Sequence, residues 1–502
     1  MKLNSLIAHI KDQVVSVDAS RIFPIDSDIK GLSLNSKLVK KGYLLFCLSG
    51  FRHKGSDFIT EAYLNGARAV MVDEEIKSRI PKNLVIIRVE NVIRCLGLIA
   101  GKFYGYPLDK LNSIAITGTN GKTSTTFIIE KILKIYKKQV GVMGTINYRF
   151  GRKKLIAKNT TPDILTTYNT INKMVSNNIK YVLMEVSSHA LAQRRVEGLR
   201  FNQAIFTNLS QDHFDYHRTK ESYFAAKSKL FTNYLKKDGI AIINNDDDYG
   251  VRLKNLLRKR KKIKILTYGI KKKADIKASD ILLEGNGSSF TVQSKRHKFR
   301  VDSNLIGLFN IYNSLAAVSS CLALGIPRKF IVSGLKSVYV PGRLELIRSN
   351  HNIKIFVDYA HTEDALKNIL VSLRELKDSG RLIVVFGCGG NRDKDKRHKM
   401  GRVASELADF AIITSDNPRF ENPRKIISDI KANMRNKSSL VLIDRRSAIE
   451  KAIDIARRGD IIVVAGKGHE SYQIIKDKKI AFNDRAVIKD VLLKKGFAAC
   501  LN

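Results

Sequence analysis

"SIAITGTNGKTSTTFIIEKI", residues 113–132, decides how this chain is read. The apolar run Ser113–Thr117 leads into a glycine turn, after which Phe127, Ile128, Ile132 and Tyr136 recur at helical spacing. A strand, a glycine turn and a helix in that order aim backbone N–H groups and the helix dipole at an anion. Lys122 would neutralise β- and γ-phosphates there, and the hydroxyl of Thr123 or Ser124 could hold Mg²⁺. The loop is short: G-x-x-x-x-G-K-[ST] needs glycine at position 116, where Ile116 stands, and Gly118 is the nearest substitute. Because Gly-Lys-Thr falls at the strand–helix junction, a nucleotide site is preferred over a solvated lysine on an ordinary turn.

Working outward, apolar runs and helical patterns alternate along the chain. Residues 30–105 read as a small α/β unit, with strands in "YLLFCLSG", "ARAVMVD" and "LVIIRV" and an amphipathic helix in "DFITEAYLNGA". From about 110 to 335, "SIAITG", "YVLMEVS", "QAIFTNL" and "GIAIINND" are buried-strand candidates. The basic run 252–273 and the polar stretch 279–303 read as an edge hairpin layer on that region. In the last third, "KIFVDYA", "RLIVVFG", "FAIITSD", "SLVLID" and "DIIVVAG" are separated by helical patterns, which implies a parallel, doubly wound sheet. The expected class is α/β in three domains. These are a small N-terminal α/β domain (1–106), a central P-loop-type ATPase domain (107–338) and a Rossmann-like C-terminal domain (339–502).

Bulk properties narrow the class. With 502 residues, 44% hydrophobic and 27% charged, the chain is too long for one core and has a soluble, globular composition. No apolar run reaches membrane-spanning length, and Lys11 and Asp12 interrupt the N-terminus before an export-signal core could form. A cytoplasmic protein without membrane insertion is expected. Cys47, Cys95, Cys321, Cys388 and Cys500 are too scattered for a disulfide framework or a zinc site. The net charge of +42 raises nucleic-acid binding. The densest basic stretch, however, has only Tyr268 where a single-strand groove needs spaced aromatics. A lysine-rich solvated surface that attracts anionic substrates is the preferred reading, with no specific nucleic acid. No N-K-x-D guanine-reading motif occurs, which argues against a GTPase.

In doubly wound sheets ligands sit beyond the carboxyl ends of strands, and the chemically loaded residues fall there. Glu185 ends "YVLME"; an acid in that place is costly unless it is paired or meets a metal. Asp212, His213, Asp215 and His217 follow another strand, a set that suits a metal or a proton relay but also a helix surface. Lys227, in an Ala-rich helical stretch, reads by itself as solvent-exposed. Four C-terminal loops add Asp358 and His361; Arg392; Asp416, Asn417, Pro418 and Arg419; and Lys467, His469 and Glu470. The arginines offer forks for carboxylates and Glu470 could meet an ammonium, so the loops describe a pocket for an amino acid carrying both charges.

Taken together, these motifs resemble the Mur ligases, ATP-dependent amide-forming enzymes of peptidoglycan precursor synthesis. "GTNGKTS", "NTTPD", "MEVSSHAL", "FTNLSQDHFDYH", "AAK", "GLFNIYNSLAA", "PGRLE", "VDYAHT", "FGCGGNRDKDKR", "DNPR" and "GKGHE" occur in family order, from about residue 30 onward. The family uses a shortened G-T-N-G-K-[TS] loop. The resemblance implies that Gly118, Thr119, Asn120, Gly121, Lys122, Thr123 and Ser124 hold ATP, with Asn310, Arg343, Asp358 and His361 on the far side of the nucleotide. It implies Mg²⁺ on Thr123, Glu185, His213 and Lys227, the last as a carbamate, which reverses the exposed reading of that lysine. Lys122, Lys227 and His213 would be the catalytic groups.

Leu34, Ser36, Phe51, Arg52 and His53 would hold the uridine end of a UDP-sugar substrate. Asn159, Thr160, Thr161, Ser187, Gln193 and Arg195 would hold its muramoyl-dipeptide part. Arg392, Asp416, Asn417, Pro418, Arg419, Gly466 and Glu470 match the amino-acid pocket. D-N-P-R is the form associated with meso-diaminopimelate, so the resemblance implies a monomer that joins this amino acid to UDP-N-acetylmuramoyl-L-Ala-D-Glu. Domain closure would assemble the site. Departures from the family pattern are Asn35 and Lys37 in place of an Asp-Ser-Arg triplet, Glu363 for a proline, and Ser124 for a threonine. The alternatives are a lysine-adding relative, a folylpolyglutamate synthetase-like ligase and, in another class, a nucleic-acid-stimulated ATPase.

Overall fold

The computed structural model describes all residues except 19–25, 51–52, 77–79, 261, 351, 378, 436–437, 498 and 502. The expected sites Phe51 and Arg52 therefore lie outside the described residues. Two compact units emerge. The first comprises Met1–Ala115, Lys138–Ala204 and Ala226–Gly239; the second comprises Ile116–Lys137, Ile205–Ala225 and Ile240–Asn502. The architecture is α/β throughout, with a five-, an eleven- and a seven-stranded sheet following one another along the chain.

In the first unit, Gly31–Ser33, Tyr43–Phe46, Ala67–Val72 and Val85–Val89 pair in parallel, and Val14–Asp18 adds antiparallel at the edge. The expected helix in "DFITEAYLNGA" is shorter than its pattern: a 3₁₀ turn, Gly55–Phe58, precedes the helix Ile59–Leu64. Helix Val92–Phe103 starts at Asn91, whose side chain accepts the Arg94 N–H, and buries Val92, Cys95, Leu96, Ile99 and Ala100. A methyl group at Gly97 would lie 2.8 Å from Glu197, so only glycine lets that helix approach the 197–198 turn. Also in this unit, Tyr181–Glu185 runs parallel to Val140–Met143.

Strand Asn112–Thr117 lies between Phe201–Phe206 and Tyr181–Glu185 in the eleven-stranded sheet. In the second unit, Ile240–Asn244 pairs in parallel with Lys264–Tyr268. The basic run is thus not part of the hairpin layer. Its first half lies on helix Asp248–Arg258, which buries Leu253 and Leu257 and leaves Arg252 and Arg258 exposed, and its second half forms an internal parallel strand. The hairpin layer begins later, with Ile276–Glu284, Gly287–Ser294 and Lys298–Ser303 in antiparallel order.

The C-terminal sheet runs Ser439–Val441, Phe410–Ile413, Leu382–Phe386, Ile461–Ala465, Lys354–Asp358, Glu345–Ser349, Ala499–Leu501. The first five strands are parallel. All five residues of Leu382–Phe386 are buried, with Val384 and Phe386 on one face and Ile383 and Val385 on the other. Helices Glu363–Glu375 and Asp395–Leu407 cover the first face, and Arg445–Asp454 and Asp484–Lys494 the second. That is the doubly wound arrangement, and it gathers the ends of four parallel strands at one edge.

Candidate active site

In the second unit the glycine turn is held by its neighbours. Gly118 has φ +152°, and a Cβ there would sit 1.8 Å from Thr207 Oγ1. Gly121, at φ +87°, opens helix Lys122–Ile135, and its Cβ would sit 2.2 Å from Asn313 Oδ1. Both positions require glycine, which explains why the short loop spends its two glycines there. The loop is pinned by Thr119 N–H to Asn208 O and Asn120 N–H to Asn208 Oδ1, both 2.9 Å. Thr207 Oγ1 donates to Asn120 O at 2.6 Å. Lys122 folds back, its Nζ donating to Gly118 O and Thr119 O at 2.9 Å.

Around that loop the unit gathers the other expected nucleotide residues. Asn310 is buried, donating to Ile306 O just before its helix begins, while accepting from Asn313 at 3.0 Å. Arg343 reaches Thr123 Oγ1 at 3.4 Å, with its guanidinium 4.4 Å from the Tyr359 ring. Asp358 ends its strand buried, accepting the N–H groups of Leu344 and Ala360. Burial pushes its carboxyl up, against the pull of Arg343 and those N–H groups. His361 Nδ1 donates to Tyr359 O at 2.9 Å, and burial, then Lys396, lowers its pKa, so the ring is neutral at pH 7. Asp212 binds the His213 N–H through Oδ1, with Oδ2 3.3 Å from His213 Nε2. Burial works against its charge, but His213, His361, Lys396 and Lys122 outweigh it and hold the carboxyl at about 2. Of the remaining cluster residues, His217 is buried and Asp215 exposed.

The amino-acid loops converge at the strand ends of the same unit. Asn417 Nδ2 and Lys467 Nζ both donate to Glu470 Oε2, at 3.0 and 3.1 Å, and Lys467 also donates to Asn417 Oδ1. One Glu470 oxygen is therefore committed, and an incoming ammonium would meet Oε1. Gly466, at φ +114°, allows Asp416 Oδ2 to approach to 2.6 Å of where a Cβ would stand. Arg419 donates from Nη1 to Gly390 O at 2.8 Å, and the Pro418 carbonyl packs against Gly390. Its own backbone, at φ +52°, bridges Ile475, with its N–H on Ile474 O. Burial and the like charge of Arg392, which is exposed, lower the Arg419 pKa. Arg419 thus lies in the field of Arg392 on one side of the charge balance and of Asp416 and Glu470 on the other, an arrangement that suits a group with charges of both signs.

In the first unit Glu185 is buried, its carboxylate accepting Thr145 Oγ1 at 2.8 Å and the Thr145 N–H at 3.3 Å. Thr160 Oγ1 lies 3.1 Å from Thr145 Oγ1, and Thr161 Oγ1 donates to Glu185 O while accepting the Ser187 N–H. Arg195 joins this cluster, with Nη1 on Thr161 O and Nε on Gln193 Oε1, and Tyr148 OH donates to Asn159 O. Lys227 is 1% exposed, which overturns the solvent-exposed reading. A second cluster in this unit is a cleft of about 430 Å³ lined by Leu34, Ser36 and His53 together with Phe46, Phe58 and Glu61. Ser36 Oγ donates to Glu61 there, and Asn35 Oδ1 accepts the Lys37 N–H, serving the capping role that a carboxylate would serve.

Comparison with known proteins gives the same picture. The Mur ligase middle domain matches residues 116–321, the Mur ligase glutamate ligase domain 342–468, and the Mur ligase family catalytic domain 28–104. A UDP-N-acetylmuramoyl-L-alanyl-D-glutamate–2,6-diaminopimelate ligase of Aquifex aeolicus (strain VF5) is 47% identical over 92% of this chain and 94% of its own. This chain belongs to the Mur ligase family. The Clostridium tetani protein of the same name is 40% identical, over 98% of this chain and 99% of its own. A solved structure of that name superposes with TM-score 0.70 at 31% identity, covering 99% of both chains. A folylpolyglutamate synthase of Mycobacterium tuberculosis shares the fold alone, with TM-score 0.61 at 16% identity over 74% of this chain.

For this Mur ligase, sequence reasoning missed Asn208, Asn313 and Thr145. Asn313 had a signal, since it lies three residues beyond Asn310 on one helix. Asn208 directly follows the strand-end Thr207, whereas nothing in the local pattern marked Thr145. Also missed was Gln211, which donates to Asp395 and accepts from Lys399, both at 2.9 Å. Each unit has a donor that suits Mg²⁺ in chemical type. Glu185 and the Thr123 hydroxyl are hard oxygen donors, and among the described residues no group of three His, Cys, Asp or Glu could cage a metal by itself. A cation that keeps its water and takes phosphate oxygens needs only one or two such protein ligands.

Proposed function

We propose that this chain joins meso-diaminopimelate to the D-glutamyl γ-carboxylate of UDP-N-acetylmuramoyl-L-Ala-D-Glu, with ATP as the energy source. The names of its relatives at 40–47% identity over nearly the whole chain support this reading. The observation that carries it for this chain is Arg419, half-buried beside Arg392 and opposite Asp416 and Glu470. Lysine has one carboxylate and diaminopimelate has two, so a second fork at the far end of the pocket discriminates between them. No described helix is long and apolar enough to cross a membrane, and the reading takes the protein as a cytoplasmic monomer in three domains, 1–106, 107–338 and 339–502.

The γ-carboxylate attacks the γ-phosphorus of ATP; the bond to the bridging oxygen breaks, giving an acyl phosphate and ADP. The acceptor amine then attacks the acyl carbon, and inorganic phosphate leaves as the amide forms. Gly118–Ser124 hold the phosphates, with Lys122 leaving its loop carbonyls to meet them. Arg343, stacked on Tyr359, and the neutral His361 flank the nucleotide. Leu34, Ser36 and His53 take the uridine end, and Asn159–Thr161, Ser187, Gln193 and Arg195 the dipeptide. Thr123, Glu185, His213 and Lys227 as a carbamate would hold Mg²⁺, which when bound offsets the charge where carboxylate meets triphosphate.

The test is acceptor choice. The wild type should use diaminopimelate and reject lysine, while Arg419→Ala should lose about a hundredfold of that preference, or about 3 kcal/mol. Equal rates with the two acceptors in the wild type would remove the role given to Arg419.

A further inference from the structure

We propose that the second unit carries another anion site, one that takes a compact oligophosphate chain, free or borne by a nucleotide. The site is an open cleft of about 830 Å³ beside helix Asp248–Arg258 and the hairpin layer, and it shares no residue with the glycine turn. Its size is that of a small-molecule site. The walls carry Lys254, Arg258, Lys273, Lys277 and Lys295 against a single carboxylate, Asp275.

Hydrogen bonds tie the lining residues to one another. Asp275 is exposed, and its Oδ2 accepts the Thr267 N–H at 2.8 Å and Thr267 Oγ1 at 2.6 Å, so one of its two oxygens is engaged. Asn245, itself buried, accepts Lys254 Nζ at 2.6 Å and donates to Lys273 O at 2.6 Å, fixing the helix wall against the loop wall. Lys272, next in the chain, pairs outward with Asp248 at 3.0 Å. Among the described residues, Arg258, Lys273, Lys277 and Lys295 have no carboxylate within ion-pair distance. Like charges focused on one concavity raise the local concentration of a multivalent anion. The occupant is recognised by charge and not by a base, because the apolar lining is only Ile265 and Ala274, with no ring to stack on. That lining separates an oligophosphate from a nucleic-acid strand.

The experiment titrates inorganic triphosphate into the full chain carrying Lys122→Ala, so that the glycine turn contributes little, and repeats it with Lys273→Gln and Lys277→Gln added. One-site binding that weakens at least tenfold in the added variant supports the site, and Lys295→Gln alone should weaken it by a smaller factor. ATP binding as tightly as inorganic triphosphate shows that the phosphate chain is what is recognised in either source. Absent or unchanged binding overturns the proposal, as does ATP binding without triphosphate binding. So does a single-stranded RNA oligomer that binds where triphosphate does not. Lys273→Gln and Lys277→Gln on the otherwise wild-type chain should keep amide formation, so failure of this site is distinguishable from failure of the ligase reading.

Discussion

At the scale of single residues, two buried groups carry most of the predictive weight. Lys227 lies in helix Lys220–Thr232 and is 1% exposed, and a charge so deeply buried carries a desolvation cost. Conversion to a carbamate would turn it into an oxygen ligand. Depleting bicarbonate should therefore lower activity, and Lys227→Ala should be partly restored by short-chain carboxylates; indifference to both in a steady-state assay would leave the lysine a structural residue. His469 gives a pH prediction. Burial, then Arg343 and Arg485, hold its pKa at about 3, against 6.5 in the ordinary case. The folded chain keeps this ring neutral while the unfolded chain protonates it below 6.5, so stability is full above that value and falls as pH drops toward 3. At pH 5 the loss amounts to about 2 kcal/mol. Urea unfolding of wild type and His469→Asn at pH 7.5 and pH 5 should show the smaller pH effect in the variant.

At the scale of elements, the sequence was most legible where an apolar run ends in a polar residue. Thr117, Glu185, Asp358 and Asp416 mark strand ends or the loops just beyond them, and a buried strand tolerates such groups only where a loop or ligand receives them. It was least legible where burial comes from all sides. Nothing in the pattern of Lys220–Thr232 distinguishes Lys227 from its neighbour Lys229, because non-local packing supplies the difference. The basic run misled for a related reason: its charge hid Leu253, Leu257 and Tyr268, which fix a helix and an internal strand. Asn35 and Lys37 were read as departures, yet Asn35 keeps the cap that shapes the turn Ser36–Leu38. One element contact was invisible in sequence. Arg445 and Asp484, both fully buried, pair through two bonds of 2.8 Å, and Arg445 also donates to Ala465 O beneath the 466–470 loop. Asp484→Ala leaves an uncompensated guanidinium and should cost about 3–5 kcal/mol in a denaturant titration. A loss below 1 kcal/mol would mean that the pair does not brace that loop.

At the scale of the whole molecule, three successive α/β sheets and a net charge of +42 were both readable before any coordinates, but their meaning differed. The sheets place glycine turn, carboxylates and arginine forks at strand ends, which is chemistry. The charge fixes no fold, and five of its cationic side chains line the cleft beside residues 245–295. The account as a whole rests on the coupling of nucleotide cleavage to amide formation. The most direct measurement supplies ATP, UDP-N-acetylmuramoyl-L-Ala-D-Glu and meso-diaminopimelate to the purified chain and follows ADP release and the mass of the nucleotide product together. The account predicts one ADP for each diaminopimelate joined, with no amide product when any one substrate is omitted. ADP release that needs no muramoyl substrate and rises with RNA or DNA would contradict it.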